Sequence, residues 1–97
     1  MDIRLSPGAA KYLAAKKASD VTIYLVDIET TGSIGAVREV GVSLEPPKRP
    51  ENFRYERVDG FDIYVARELR ITGPVIIKKQ GFWKLSWLCA DGLQIPI

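Results

Sequence analysis

The chain has 97 residues, 46% of them hydrophobic and 27% charged, with a formal net charge of +2. That length makes one domain, residues 1–97, able to bury a real core without staples. The mild positive balance falls short of the basic stripe expected of a dedicated nucleic-acid binder, and no apolar run reaches the roughly 18 residues that a membrane-spanning helix needs.

There is a single cysteine, Cys89, and no histidine. An intramolecular disulfide is therefore excluded, and so is hydrolytic chemistry that relies on a serine–histidine or cysteine–histidine set. The side chain most used for proton transfer near neutral pH is missing. Acidic Asp2 is followed by no apolar leader stretch, which together with the lone thiol leads to the expectation of a cytoplasmic protein. Asn and Gln together number three (Asn52, Gln80, Gln94). Depletion of thermolabile residues beside abundant charge points to a thermophilic source.

Residues 2–5 (DIRL) alternate and read as a short edge strand. Ser6-Pro7 then has the form of an N-cap followed by proline at the first helical position. The spacing predicts a helix over residues 7–18, with Ala10, Leu13 and Ala14 as its apolar stripe. Lys16 and Lys17 fall in the last turn, favoured there by the helix dipole, and read as a solvated basic face. Residues 21–28 (VTIYLVDI) are apolar on both parities, as in a central strand covered on both sides. Residues 29–35 (ETTGSIG) form a polar loop. Residues 36–45 are expected to return as a strand in which Gly41 marks a bulge or a close backbone approach. Pro46, Pro47 and Pro50 make residues 45–51 a stiff surface connector.

Residues 53–97 carry the strongest hairpin grammar. Asp59-Gly60 separates FRYERV from FDIYV, alternating runs flanking a turn pair. A helical turn over residues 66–70 and a break at Thr72-Gly73-Pro74 precede the strand at residues 75–79. Further turns are expected at Gln80-Gly81 and at Asp91-Gly92. In residues 82–90, Trp83, Leu85, Trp87 and Cys89 share one parity, expected to face the core. Pro96 marks the last strand as an edge.

Gly32-Ser33-Ile34-Gly35 lacks the lysine ending and the spacing of a phosphate loop, so positive-φ turn glycines account for it. Trp83 and Trp87 beside Lys78, Lys79 and Lys84 admit a stacking platform for nucleic acid, but the consistency of their parity favours the inner face of a sheet. Cys89, with Trp87 and Leu88 beside it, reads as a buried packing residue. Glu56, Asp59 and Asp62 gather near the first hairpin turn, where carboxylates can pair for acid–base work. Asp59 is accounted for by the turn itself.

Taken in order, these segments resemble the HesB-like, A-type iron–sulfur carrier family, nearest its branch of small proteins with a paired-cysteine or selenocysteine motif. LSPGAAKYL over residues 5–13 is similar to that family's opening helix. VTIYLV, the polar glycine loop and AVREVGVSLE are similar to its central strands. VDGFDIYVAREL over residues 58–69, then TGPVII and the late Gly81-Phe82, follow the same order. The resemblance implies an α+β fold, mostly β, with one N-terminal helix packed on a curved mixed or antiparallel sheet of about six to eight strands.

It also implies a cysteine in the glycine loop and a cysteine pair near the C-terminus. Here the loop has hydroxyl groups instead of a thiol, and Cys89 stands alone. Hydroxyls do not replace thiolates as soft ligands. The expectation is a HesB-like protein without the cluster-binding cysteines: a non-catalytic interaction scaffold with no cofactor and no metal. Its weak candidate ligand or partner residues are Thr30, Thr31, Gly32, Ser33, Gly35 and Cys89. A protein partner or a second copy would add to the sheet edges at residues 3–5 and 93–97. The alternatives are weak nucleic-acid binding and an iron–sulfur-related carrier using Cys89 across a dimer.

Overall fold

The computed structural model describes residues 1–29, 36–82 and 84–96. The elements run β1 (Ile3–Leu5), α1 (Pro7–Ala15), β2 (Asp20–Glu29), β3 (Ala36–Ser43), a short 3₁₀ turn (Pro50–Asn52), β4 (Phe53–Val58), β5 (Phe61–Ala66), β6 (Arg70–Phe82) and β7 (Leu85–Gln94). The fold is α+β and mostly β, as the sequence leads one to expect.

The strands make two sheets, a four-stranded one in the order β3-β2-β5-β4 and a three-stranded one in the order β1-β6-β7. The two halves of the chain are interleaved in these sheets, rather than one packing on the other. Strand β2 lies at the centre of its sheet, antiparallel to β3 and parallel to β5. Strand β1 pairs in parallel with β6, Ile3 opposite Val75. Each sheet therefore joins strands from both halves of the chain.

The core lies between the sheets. Val21 and Ile23 of β2, Ile63 and Val65 of β5, and Val75 and Ile77 of β6 are fully buried. They are β-branched, which suits a pleated surface covered by another layer. Helix α1 closes the core with Ala9 and Leu13, both buried. Ser6 caps it by accepting a hydrogen bond from the Ala9 amide at 3.1 Å, with Pro7 in the first turn. The helix ends at Ala15, three residues earlier than the spacing predicts, and Ala14 of the expected stripe is exposed. Lys17 takes φ 55°, and the Ala18 amide bonds back to the Leu13 carbonyl, so the chain leaves the helix there.

The Asp59-Gly60 hairpin forms as read, with φ 51° and 85° at the two turn residues. Those values suit the right-handed twist of the flanking strands. The later turns are corrected. Strand β6 runs through Gln80-Gly81 without turning, and β7 begins at Leu85. Asp91-Gly92 lies inside β7. There the β6–β7 register shifts, from Ile71 opposite Leu93 to Ile76 opposite Asp91. Thr72-Gly73-Pro74 bulges out of β6 rather than breaking it. Gly92 has φ 85°, and a side chain there would strike the Pro74 carbonyl, so the bulge requires glycine on the facing strand. Residues 67–69 form a turn instead of the expected helical turn.

Candidate functional site

The expected loop site, Thr30, Thr31, Gly32, Ser33 and Gly35, lies outside the described residues, as does Trp83. Cys89 is described, and its placement corrects the sequence reading. In the β6–β7 pair Ile77 faces Ala90 and Lys79 faces Leu88, while Lys78 faces Cys89 and Gln80 faces Trp87. Directly paired residues point to the same side of a sheet. Ile77 is fully buried and Leu88 is 7% exposed, so this parity of β7 faces the core. Leu85, Trp87 and Cys89 occupy the opposite, outer side. Leu85 is 71% exposed and Trp87 47%, whereas Cys89 is half-buried among its neighbours on that face. Apolar residues stand on both parities of this strand, and the core takes one of them.

This outer face is an apolar surface with a polar border. Ile76 of β6 is half-buried beside it, and Lys78 forms an ion pair with Asp91 at 2.5 Å. That pair holds the Lys78 pKa above its ordinary value, chiefly through the hydrogen bond to Asp91. The ammonium is therefore paired with a carboxylate at the border of this face. On the inner side, Tyr12 of α1 donates its hydroxyl to the Ser86 carbonyl at 3.3 Å, fixing the near end of β7 to the helix.

The second surface is the outer face of the four-stranded sheet. Tyr24 of β2 and Tyr64 of β5 alternate with buried residues and therefore project outward, and Phe53 and Tyr55 of β4, paired with Ala66 and Tyr64, share that side. The Tyr55 and Tyr64 rings lie 5.2 Å apart, tilted by 46°. Tyr55 donates its hydroxyl to Asp62 at 2.6 Å, and Arg57 reaches the same oxygen at 2.9 Å. The bond to Asp62 raises the Tyr55 pKa. Asp62 is thus spoken for. Glu56, opposite Ile63, points to the other side of the sheet. The carboxylates singled out near the hairpin turn do not converge, and they make no acid–base pair.

Tyr24 faces Gly41 across the β2–β3 pair, and a Cβ at Gly41 would lie 2.6 Å from the tyrosine ring. The ring lies over Gly41, and the β2–β3 register is continuous there, so the close approach read at Gly41 is real and involves no bulge. Beyond it the proline connector crosses the sheet. Thr22, outward-facing yet only 4% exposed, donates its hydroxyl to the Glu45 carbonyl at 2.6 Å. The Glu45 amide in turn donates to the Ser43 hydroxyl oxygen at 3.2 Å. Two clefts result, sharing Tyr24 and Phe53. One, of about 650 Å³, runs under residues 45–49, and the other, of about 410 Å³, reaches Arg67 and Glu68. Sequence parity alone does not place these aromatics, since residues 21–28 are apolar on both parities and Phe53 and Tyr55 alternate with Arg54 and Glu56. That they form one surface follows only from the strand order.

Among the described residues, no group of three or more His, Cys, Asp and Glu side chains is arranged to hold a metal ion. One thiol does not supply the several soft ligands of an iron–sulfur cluster. The residues of a single chain therefore do not fit such a group. No helix among the described residues is long and apolar enough to cross a membrane.

The profile of the CC/Se motif containing family matches residues 1–93. No curated protein matches the sequence. Among solved structures, the chain is similar to SufA of Escherichia coli, described as involved in the biosynthesis of iron–sulfur clusters. The likeness has a TM-score of 0.50 at 17% identity and covers 94% of this chain and 80% of that one. At that identity the likeness is one of fold.

Proposed function

The chain belongs to the CC/Se motif containing family, and from that premise we propose that it is an iron–sulfur-related, carrier-like protein acting as a non-catalytic docking module. The observation that carries this reading is the bare apolar outer face of β7. Leu85 and Trp87 stand exposed there beside Cys89, on a fold shared with a protein of iron–sulfur cluster biosynthesis. Exposed aromatic and aliphatic residues grouped on one face suit protein recognition, where a few buried anchors supply most of the binding energy. Among the described residues, no acid, base and nucleophile come together on either surface.

The test uses the indole itself. In a Trp83→Phe variant, Trp87 is the remaining tryptophan, and its fluorescence reports on this face. Titration with purified iron–sulfur assembly proteins is expected to shift it saturably, and Leu85→Ser is expected to weaken that response. Unchanged fluorescence with each of them, in a strictly monomeric protein, would leave the reading without support.

A second reading draws on the half-buried position of Cys89 on the outer face. Two copies meeting there would bring two thiolates together, half of a four-thiolate set. Anaerobic reconstitution followed by iron and sulfide analysis tests this. A cluster bound by the dimer and lost in Cys89→Ser would establish it, and a colourless wild-type protein would remove it.

A further inference from the structure

We propose that the larger cleft on the four-stranded sheet binds a planar aromatic anion of nucleotide size, independently of the β7 face. At about 650 Å³ it lies within the range of small-ligand sites. Its floor is aromatic and fixed. Tyr24 is seated on Gly41, where any side chain would displace it, and Phe53 stands alongside. Its wall is the connector, stiffened by Pro46 and Pro47 and fastened at Glu45 through Thr22 and Ser43. Little ordering remains to be done on binding, which favours affinity.

The charge around this floor selects the ligand. Lys48 and Arg49 line the cleft, and neither enters an ion pair among the described residues. Set against the one carboxylate, Glu45, they leave the rim with a net charge of 2 − 1 = +1. Ser43 accepts from the Glu45 amide, which leaves its own proton free to donate. An aromatic ring stacked on Tyr24, carrying a phosphate or sulfonate toward Lys48 and Arg49, uses each of these groups. The Glu45 carboxylate is left to accept from an amino or hydroxyl group on the ring.

The experiment is a titration of isotopically labelled protein with AMP, with adenosine and inorganic phosphate as separate half-ligands, read by backbone amide shifts. AMP is expected to bind more tightly than either half and to move the amides of Tyr24, Ser43 and Phe53. Reversing both charges, Lys48→Glu with Arg49→Glu, is expected to weaken AMP about tenfold while leaving adenosine unchanged. These residues are exposed and on a connector, so the variant keeps its fold. Anilinonaphthalene sulfonate serves as a second anionic aromatic probe. The proposal is overturned by any of four results: no saturable shift with either probe; equal AMP affinity in the charge-reversed protein; shifts confined to residues 85–91; or shifts that reach Tyr55 and Tyr64 only with a single-stranded oligonucleotide.

Discussion

The outer faces of the two sheets are built differently. On the four-stranded sheet, each described aromatic meets other groups of the protein: Tyr24 rests on Gly41, Tyr55 bonds Asp62 and packs near Tyr64, and Phe53 lies beside the connector. A strap tied down by Thr22 crosses it. On the three-stranded sheet, Leu85 and Trp87 stand exposed among the described residues, and a polar contact beside them is the peripheral Lys78–Asp91 pair. The first face has walls, and the proposed small molecule would use them. The second is open, and the proposed protein partner would gain there by excluding water over a broad area. The difference teaches that what surrounds exposed aromatics on one small fold decides whether a face is walled or open.

The largest effect tests which side of β7 lies inside. Leu88→Ala removes a buried side chain and is expected to cost about 2–4 kcal/mol in urea unfolding. Trp87→Ala, one residue away on the open face, is expected to stay within about 1 kcal/mol. Equal losses would mean that the β7 face is covered in the isolated protein, and the contrast with the strapped sheet would disappear.

The next effect lies where β7 accommodates the bulge of β6. Gly92→Ala adds a side chain at φ 85° against the Pro74 carbonyl, and is expected to destabilise by about 1–3 kcal/mol. Amide exchange is expected to quicken along β6 and β7 first. Faster exchange across β2 and β3 instead would show that the two sheets do not respond separately.

Thr22→Val sharpens the comparison from the other side. It removes the hydroxyl that holds the Glu45 carbonyl, at an expected cost of about 1 kcal/mol. Residues 45–49 are expected to gain mobility in relaxation measurements while β7 stays unchanged. An unaltered connector would mean that the prolines alone hold the strap.

The smallest effect is electrostatic. The hydroxyl bond to Asp62 raises the Tyr55 pKa, and the bond to Asp91 raises that of Lys78. In both cases the protonated form is favoured in the folded protein. The stabilisation is therefore complete below the ordinary tyrosine and lysine values and is lost as pH rises through the raised ones. Both groups lie at the surface, so the loss is slight. In an ultraviolet titration, Tyr55→Phe is expected to remove a tyrosine that ionises above the ordinary value. An unchanged titration would show that the bond to Asp62 does not persist in solution.

Local chemistry fixed several features within the sequence itself. Ser6-Pro7 starts a helix because a hydroxyl and a missing amide solve the problem of its first turn. Asp59-Gly60 turns the chain because both residues tolerate positive φ. The β-branched runs at residues 21–26 and 61–65 become strands, and the order of all these segments carries the resemblance to a known carrier fold. None of those decisions needs information from a distant residue.

The side of β7 that meets the core was a different matter. Leu85, Trp87 and Cys89 are as apolar as Leu88 and Ala90, so hydropathy alone admits both faces. The choice came from pairing with β6, whose Val75 and Ile77 already face inward, and from the bulge opposite Gly92 that sets the register. A shift of one residue exchanges the two faces completely. The cleft beneath residues 45–49 likewise depends on β2 lying between β3 and β5, which brings Tyr24 over Gly41 and near Phe53. Segment identity is a short-range property of the chain, whereas the face a segment shows to solvent is settled by the strand it pairs with.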